Sequence, residues 1–494
     1  MDAAMAQTLF LASCLFCLLI LFIRKAMHQR DKLPPGPTPL PLIGNLLLIH
    51  TNGTGKGLMK MSEKYGPVFR LYIGPEMAVV LSGYEVVKEA LIDQAEVFNG
   101  RGEMETFNQV LQGFGITFSN GVTWRQTRQF SIMTLRDFGV GKRGIEERIQ
   151  EEAQFLVEAF RKTKELPFDP TFFFSQAASN VICSIVFGNR FDYDDKEFHH
   201  LLQMINETFC LISSIWGQLF DIFSSIMKKL PGPHNGIRSC LQVLEEYIVK
   251  KVKQNQETLD PSSPQDFIDS FLIKMEQEKQ NSSSHFHMKN LIATVLTLFF
   301  AGTETVSTTL RYGFLILLKY PEFEERLHEE IDHVIGQQRR PCLEDRNKMP
   351  YTNAMIHEIQ RFSDLLPLSL PHQVTEDTHL RGYMIPKGTR IIPLLHSVLR
   401  DPTQFSDPDS VNPGHFLDEK GNFKKSDAFM PFSAGKRTCP GEGLARMELF
   451  LFFVSILQNF SLKSYTPPKD IDLSPAMSSF GNLPHFYELT LVPR

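Results

Sequence analysis

The chain has little tryptophan, no regular cysteine framework, no long block of one charge and no internal repeat. Only 2 of its 494 residues are tryptophan. Its cysteines, Cys14, Cys17, Cys183, Cys210, Cys240, Cys342 and Cys439, are odd in number and irregular in spacing. That excludes a disulfide scaffold and suits a reducing compartment. A net charge of −5 with no basic run leaves no footprint for nucleic acid, so no such partner is expected. Phosphate motifs are missing too. Gly53-Thr54-Gly55-Lys56-Gly57 lacks both the leading glycine and the Ser/Thr after lysine of a phosphate loop. Gly441-Glu442-Gly443 starts no dinucleotide fingerprint, because Arg446 stands where the third glycine belongs. Around His285-Phe286-His287 and His199-His200 no Cys or acidic cluster completes a four-ligand zinc site, so both read as surface loops.

What the chain does have is phenylalanine, 41 residues against 11 tyrosines. Most must be core, and some fit the walls of an apolar ligand cavity. Residues 3–23 are almost wholly apolar, interrupted only by Gln7, Thr8 and Ser13. As a helix they span about 30 Å, enough to cross a bilayer. Asp2 precedes the run and Arg24, Lys25, Arg30 and Lys32 follow it, the reverse of a cleaved signal. Residues 1–25 are therefore expected to be an uncleaved single-pass anchor, with the body on the cytoplasmic side. The proline-dense stretch Leu33-Pro34-Pro35-Gly36-Pro37-Thr38-Pro39-Leu40-Pro41 makes residues 26–41 a stiff hinge, and residues 42–494 one large domain. The sequons at Asn52 and Asn459 are chance matches for a cytoplasmic body.

The domain reads as mainly α with small β-sheets. A hairpin is expected at 68–73 and 77–81 around Gly74-Pro75, amphipathic helices at 144–164 and 321–336, and a β-prone run at 389–394. The second of those helices opens on proline and stops on glycine. The polar stretches 254–265 and 276–287 are loops or helix ends. Residues 288–319 are apolar on nearly all faces, but Gly302, Glu304 and Arg311 interrupt them. That argues for a buried central helix rather than a second membrane span.

The densest chemistry lies in Pro431-Phe432-Ser433-Ala434-Gly435-Lys436-Arg437-Thr438-Cys439-Pro440-Gly441. A lone cysteine between glycines is well built to hold a metal by its sulfur, because the backbone can approach a flat ligand and aim N–H groups at the thiolate. Arg437 can grip a carboxylate at the ligand's rim. Phe432, Gly435, Arg437, Cys439 and Gly441 at these spacings would co-occur by chance about once in ten thousand chains of this length. The pattern matches the haem-binding signature of the cytochrome P-450 superfamily, which the chain resembles over essentially its whole length, most closely the microsomal family-two type.

The resemblance implies a long central helix over a haem b whose iron takes Cys439 as axial ligand. In Ala301-Gly302-Thr303-Glu304-Thr305 it implies an acid–alcohol pair, Glu304 and Thr305, that delivers protons to oxygen, with Ala301 and Thr305 beside the cofactor. It implies that Arg101, Trp124, Arg128, His372 and Arg437 hold the propionates, and that Phe432 and Gly441 contact the ring. Alone, each of these cations is an everyday solvated side chain. Glu358 and Arg361, at i, i+3, resemble the family's buried brace, whose third member here is His415 in Pro413-Gly414-His415-Phe416. Thr297, Ala301 and Thr305 share one helix face. With Phe107, Phe118, Phe209, Phe300, Leu366 and Phe480 they are expected to wall the substrate cavity. Electrons from NADPH would arrive through NADPH–cytochrome P-450 reductase, with cytochrome b5 a further partner, drawn by Arg125, Lys142, Arg143 and Lys436. The implied activity is insertion of one atom of O2 into small or medium lipophilic substrates (foreign compounds, fatty acids or steroids) at the endoplasmic reticulum membrane. Two rivals stay open: a haem-thiolate isomerase or dehydratase, disfavoured by the Glu304-Thr305 pair, and a haem or lipid carrier, which needs no axial thiolate.

Overall fold

The computed structural model describes residues 32–49, 54–140 and 143–494. The expected anchor (1–25), the first part of the hinge and Lys142 lie outside the described residues. The long helices are α1 (Gly121–Asp137), α2 (Arg143–Arg161), α3 (Thr171–Val186), α4 (Lys196–Ile212), α5 (Asn235–Thr258), α6 (Met288–Lys319), α7 (Pro321–Val334), α8 (Pro350–Ser363) and α9 (Glu442–Asn459). The strands of the largest sheet are β1 (Val68–Ile73), β2 (Glu76–Ser82), β3 (Gly100–Arg101), β4 (His372–Gln373) and β5 (Arg390–Leu394). The domain is mainly helical with small sheets, as its pattern requires.

Local chemistry sets the helix ends. Helix α7 starts with Pro321 in its first turn, followed by Glu322 and Glu324, where a missing N–H costs nothing and negative charge meets the helix dipole. It stops two residues short of the expected end, because Gly336 has φ +70° and its N–H returns to the Ile331 carbonyl at 3.0 Å. Helix α4 is capped by Asp195, which accepts from Phe198 N at 3.0 Å. Helix α2 ends at Arg161 rather than 164, since Lys164 and Glu165 take positive φ in the turn that follows.

Helix α6 runs the full expected length, and nearly all of its residues are buried. Among the described residues it is the one helix long and apolar enough to cross a membrane. Its all-round apolar surface is buried inside the domain instead, against α3, α8 and α9 among others. Gly302 permits the crossing with α3: a Cβ there would lie 3.0 Å from the Ile182 side chain. Each large apolar side chain so buried stabilises the fold by about 1.5–3 kcal/mol.

The five-stranded sheet has the order β1-β2-β5-β4-β3. Strands β1 and β2 form the antiparallel hairpin, and β2 pairs parallel with β5. The short β3 and β4 strands pair antiparallel with Arg101 opposite His372. That register brings two residues 271 positions apart in the chain side by side.

On α8, Glu358 and Arg361 are fully buried and paired in a fork, Nε to Oε2 and Nη2 to Oε1, both 2.7 Å. The guanidinium also donates to the carbonyls of Leu399 (2.9 Å), Pro408 (2.8 Å) and Ser410 (2.9 Å). Glu358 accepts from the Asn412 backbone N–H at 2.8 Å and faces His415 Nδ1 at 3.1 Å. The other ring nitrogen of His415 meets the Ser406 carbonyl. This trio ties the end of α8 to the loop leading toward Cys439. A buried pair is strongly destabilising to break because the remaining charge loses its partner.

Candidate functional site

The loop before α9 is shaped by backbone demands that few residues meet. Gly435 has φ +70°, and a Cβ there would fall 1.7 Å from the Leu91 carbonyl oxygen, so only glycine fits. Cys439 N donates to Phe432 O at 3.0 Å, closing the loop. The backbone N–H groups of Gly441 and Glu442 point at the sulfur. Burial pushes the thiol's pKa up, while those N–H groups and Arg128 oppose it.

Cys439 opens into a cavity of about 260 Å³. Thr297, Ala301, Gly302 and Thr305 of α6 line it, with Leu366, Phe432, Arg437 and Gly441 elsewhere on the wall. On a helix otherwise packed all round, Ala301 is exposed and Gly302 and Thr305 are half-exposed, because they face this void. Arg101 and Arg128 reach its edge.

These cations are placed by directional bonds. Arg437 donates from Nε to Asn99 O (2.7 Å) and from Nη2 to Ser119 O (2.8 Å) and Asn120 Oδ1 (3.1 Å). Its guanidinium stacks 3.7 Å over Trp124. Arg101 donates to Thr117 O (3.2 Å) and Leu370 O (3.3 Å), and Arg128 to Thr438 O (2.6 Å). His372 Nδ1 is bonded to Phe98 O at 2.7 Å. Among the described residues no carboxylate pairs with any of the three arginines. Burial, followed by mutual repulsion, pushes Arg437 down to about 8 and Arg101 to about 9. Burial and then Arg101 push His372 down to about 3, so the ring is neutral. A guanidinium gives up its proton reluctantly, so this cluster calls for anions instead. Arg437 Nη1, Trp124 Nε1 and His372 Nε2 are buried with no partner. An apolar disc bearing two carboxylates would satisfy all of these groups, and its iron would meet a sulfur already surrounded by N–H donors. The residues present fit haem.

Glu304 and Thr305 diverge. Thr305 faces the cavity, its hydroxyl bonded to Ala301 O at 2.8 Å. Glu304 is buried away from that wall, accepting from Thr308 Oγ1 (3.0 Å) and from Asn206 Nδ2 of α4 (3.4 Å). Burial raises its carboxyl to about 7, against the pull of Arg311, Thr308 and Asn206. Thr297 also faces the void, its hydroxyl bonded to Ala293 O and Thr294 O, both at 3.0 Å.

Phe107, Phe118, Phe209, Phe300 and Phe480 gather into one aromatic cluster. Phe107 lies 5.1 Å from Phe118, 5.8 Å from Phe300 and 5.9 Å from Phe480, while Phe209 lies 6.2 Å from Phe300 and 6.0 Å from Phe480. None of the five is on the wall that holds Cys439. Phe300 adjoins Ala301, and Phe480 lines a second void of about 140 Å³. Arg125 and Arg143 are exposed, Arg143 4.0 Å from Glu147 on its own helix, and Lys436 is paired with Glu96.

Sequence reasoning missed three residues. Asn120 accepts from both Arg101 N (2.7 Å) and Arg437, tying two of the arginines together. Asn206 touches Glu304, and Glu448 of α9 lines the cavity with a buried, unpartnered Oε2. Only Glu448 had a signal, a carboxylate inside the apolar run Met447-Glu448-Leu449-Phe450.

Comparison with known proteins agrees with this geometry. The family model described as Cytochrome P450 matches residues 34–491. The chain belongs to the cytochrome P450 family, whose members are haem-thiolate oxidoreductases. Within it the chain is of the family-two type. It is 56% identical over 494 residues to Cytochrome P450 2G1 of Oryctolagus cuniculus, covering 100% of both chains. It is 58% identical over 493 residues to both Cytochrome P450 2A13 and Cytochrome P450 2A6 of Homo sapiens, covering 99% of this chain and 100% of each relative.

Proposed function

We propose that the chain inserts one oxygen atom from O2 into small or medium lipophilic organic compounds, foreign compounds foremost and fatty acids or steroids in the same size range. The observation that carries this reading is the set of unpaired buried guanidiniums around a cavity where Cys439 faces Ala301 and Thr305. Cys439 would hold the haem iron. Arg101, Trp124, Arg128, His372 and Arg437 would hold the propionates, and Phe432, Ala301 and Gly441 would bound the ring. Bound there, haem with a thiolate ligand supplies electron transfer to dioxygen and O–O cleavage.

The chain's own groups set the conditions for that chemistry. The apolar wall excludes water and admits greasy substrates. Thr305 can release Ala301 O and turn its hydroxyl into the void, and Glu304 stores a proton near neutral pH. The hydroxyl of Thr297 already donates along its own helix, so toward a substrate it acts as an acceptor. Arg125 and Arg143 offer a cationic face to an acidic flavoprotein reductase that carries electrons from NADPH, or to cytochrome b5. Residues 1–25 would tether the enzyme to the endoplasmic reticulum membrane with this domain in the cytoplasm.

The test is the reduced carbon monoxide difference spectrum of the purified protein, run beside NADPH consumption with and without reductase. A strongly red-shifted Soret band and reductase-dependent consumption are expected. A histidine-type band, or turnover of a lipid hydroperoxide without NADPH or reductase, would overturn the reading.

A further inference from the structure

Helix α4 touches two parts of the site within one turn. Asn206 donates to Glu304 Oε1 at 3.4 Å, and Phe209, three residues on, packs on Phe300 and Phe480. Residues three apart share a helix face and move together. The amide's direction is set from the same helix, since Cys210 Sγ lies 3.9 Å from Asn206 Oδ1, leaving Nδ2 for the carboxylate. We propose that Asn206 is a positioning residue through which occupancy of the aromatic cluster sets the protonation of Glu304. This inference rests on the monooxygenase reading and deepens it.

The groups around Glu304 define what the link can do. From α4 come Asn206 and Cys210, whose thiol burial pushes up to about 11, so it stays protonated. The charge of Glu207 adds slightly to the same upward push on that thiol. From α6 come Thr308, which donates to the carboxylate, and the buried Arg311, which favours its charged form. Burial opposes them all. The balance falls near neutrality, so loss of one donor is enough to shift it. An apolar ligand that presses Phe209 outward carries Asn206 away with it. The already long contact opens, and the carboxylate takes one proton from solvent, giving a neutral carboxyl and no change in electron count. Glu304 then keeps its proton to higher pH when a ligand occupies the cluster than when none does.

Linkage makes this measurable without turnover, because a ligand that promotes protonation binds more tightly where protons are plentiful. Acetophenone is a suitable probe, being apolar, aromatic and free of titrating groups. Equilibrium dialysis of the holoenzyme should show it bound about fivefold more tightly at pH 6 than at pH 8. In Asn206→Ala, or Asn206→Ser if alanine does not fold, the ratio should fall to about one, as it should in Glu304→Gln. A wild-type ratio retained in the Asn206 variants overturns the proposal, as does absence of any acetophenone binding. The monooxygenase reading fails separately, by absence of the red-shifted carbon monoxide band, which none of these variants should alter.

Discussion

On the cysteine side of the cavity, Arg437 is fixed by three directional hydrogen bonds of 2.7 to 3.1 Å and a stack on Trp124, and Gly435 admits no other residue. Off that cavity's wall, Phe107, Phe118, Phe209, Phe300 and Phe480 meet one another by ring contacts of 5.1 to 6.2 Å. The first side is specified by groups that one residue type can supply, so substitution there removes a function outright. The second is specified by shape, which many apolar combinations can fill. Haem retention should therefore depend steeply on single residues, and ligand choice only gradually.

The largest test of that contrast is Cys439→Ala, which should erase the red-shifted carbon monoxide band altogether. Persistence of the band would break the comparison at its centre. Next comes the brace. Glu358→Gln leaves Arg361 buried without a full counter-charge and should cost about 3–5 kcal/mol in denaturant unfolding. A loss below about 1 kcal/mol would show that the carbonyls of Leu399, Pro408 and Ser410 hold the guanidinium without help.

Glu304→Gln should have a smaller, pH-dependent effect. The folded carboxyl titrates at about 7, above its ordinary value of 4.5. Its contribution is fully present below about 4.5 and is lost as pH rises through 7, where the buried group must ionise. Relative to the wild type, the glutamine variant should gain up to about 3 kcal/mol between pH 5 and pH 8. Parallel stability curves for the two proteins would show that Glu304 titrates in the folded protein as it does in the unfolded chain.

The same contrast governs what the sequence revealed. Cys439, Gly435 and Arg437 were legible because they lie within five residues of one another and each has few substitutes. The limits of α6 were legible because an apolar surface all round must be buried. The pairing of Arg101 with His372 is a register fact about two-residue strands far apart in the chain, and no local pattern encodes it. Asn120 and Asn206 stayed hidden because a lone asparagine on a helix face or before a helix has many ordinary uses. Glu304 and Thr305 are neighbours in sequence but point to different surroundings, a consequence of helical geometry that only the packing partners of α6 make concrete.

The smallest expected effect probes the aromatic side. A Cβ at Gly481 would stand 2.6 Å from Cζ and 3.1 Å from Cε1 of Phe209, closer than side-chain carbons approach. Those atoms are the far end of a ring, so Gly481→Ala should not unfold the protein. It should press Phe209 toward Phe300 and Phe480 and narrow the space the cluster encloses. Aromatic pairs of this kind contribute about 0.5–1.5 kcal/mol each. Affinity for bulky ligands should therefore fall about two- to tenfold while that for small ones changes little. The carbon monoxide band and haem retention should match the wild type, since the one lining residue of the Cys439 cavity near that Cβ, Leu365, is met at ordinary contact distance, 3.4 Å from its carbonyl oxygen. Equal loss across ligand sizes would mean that the cluster is core rather than cavity wall, and that the site's selectivity lies with Thr297 and Leu366 on the wall nearer Cys439.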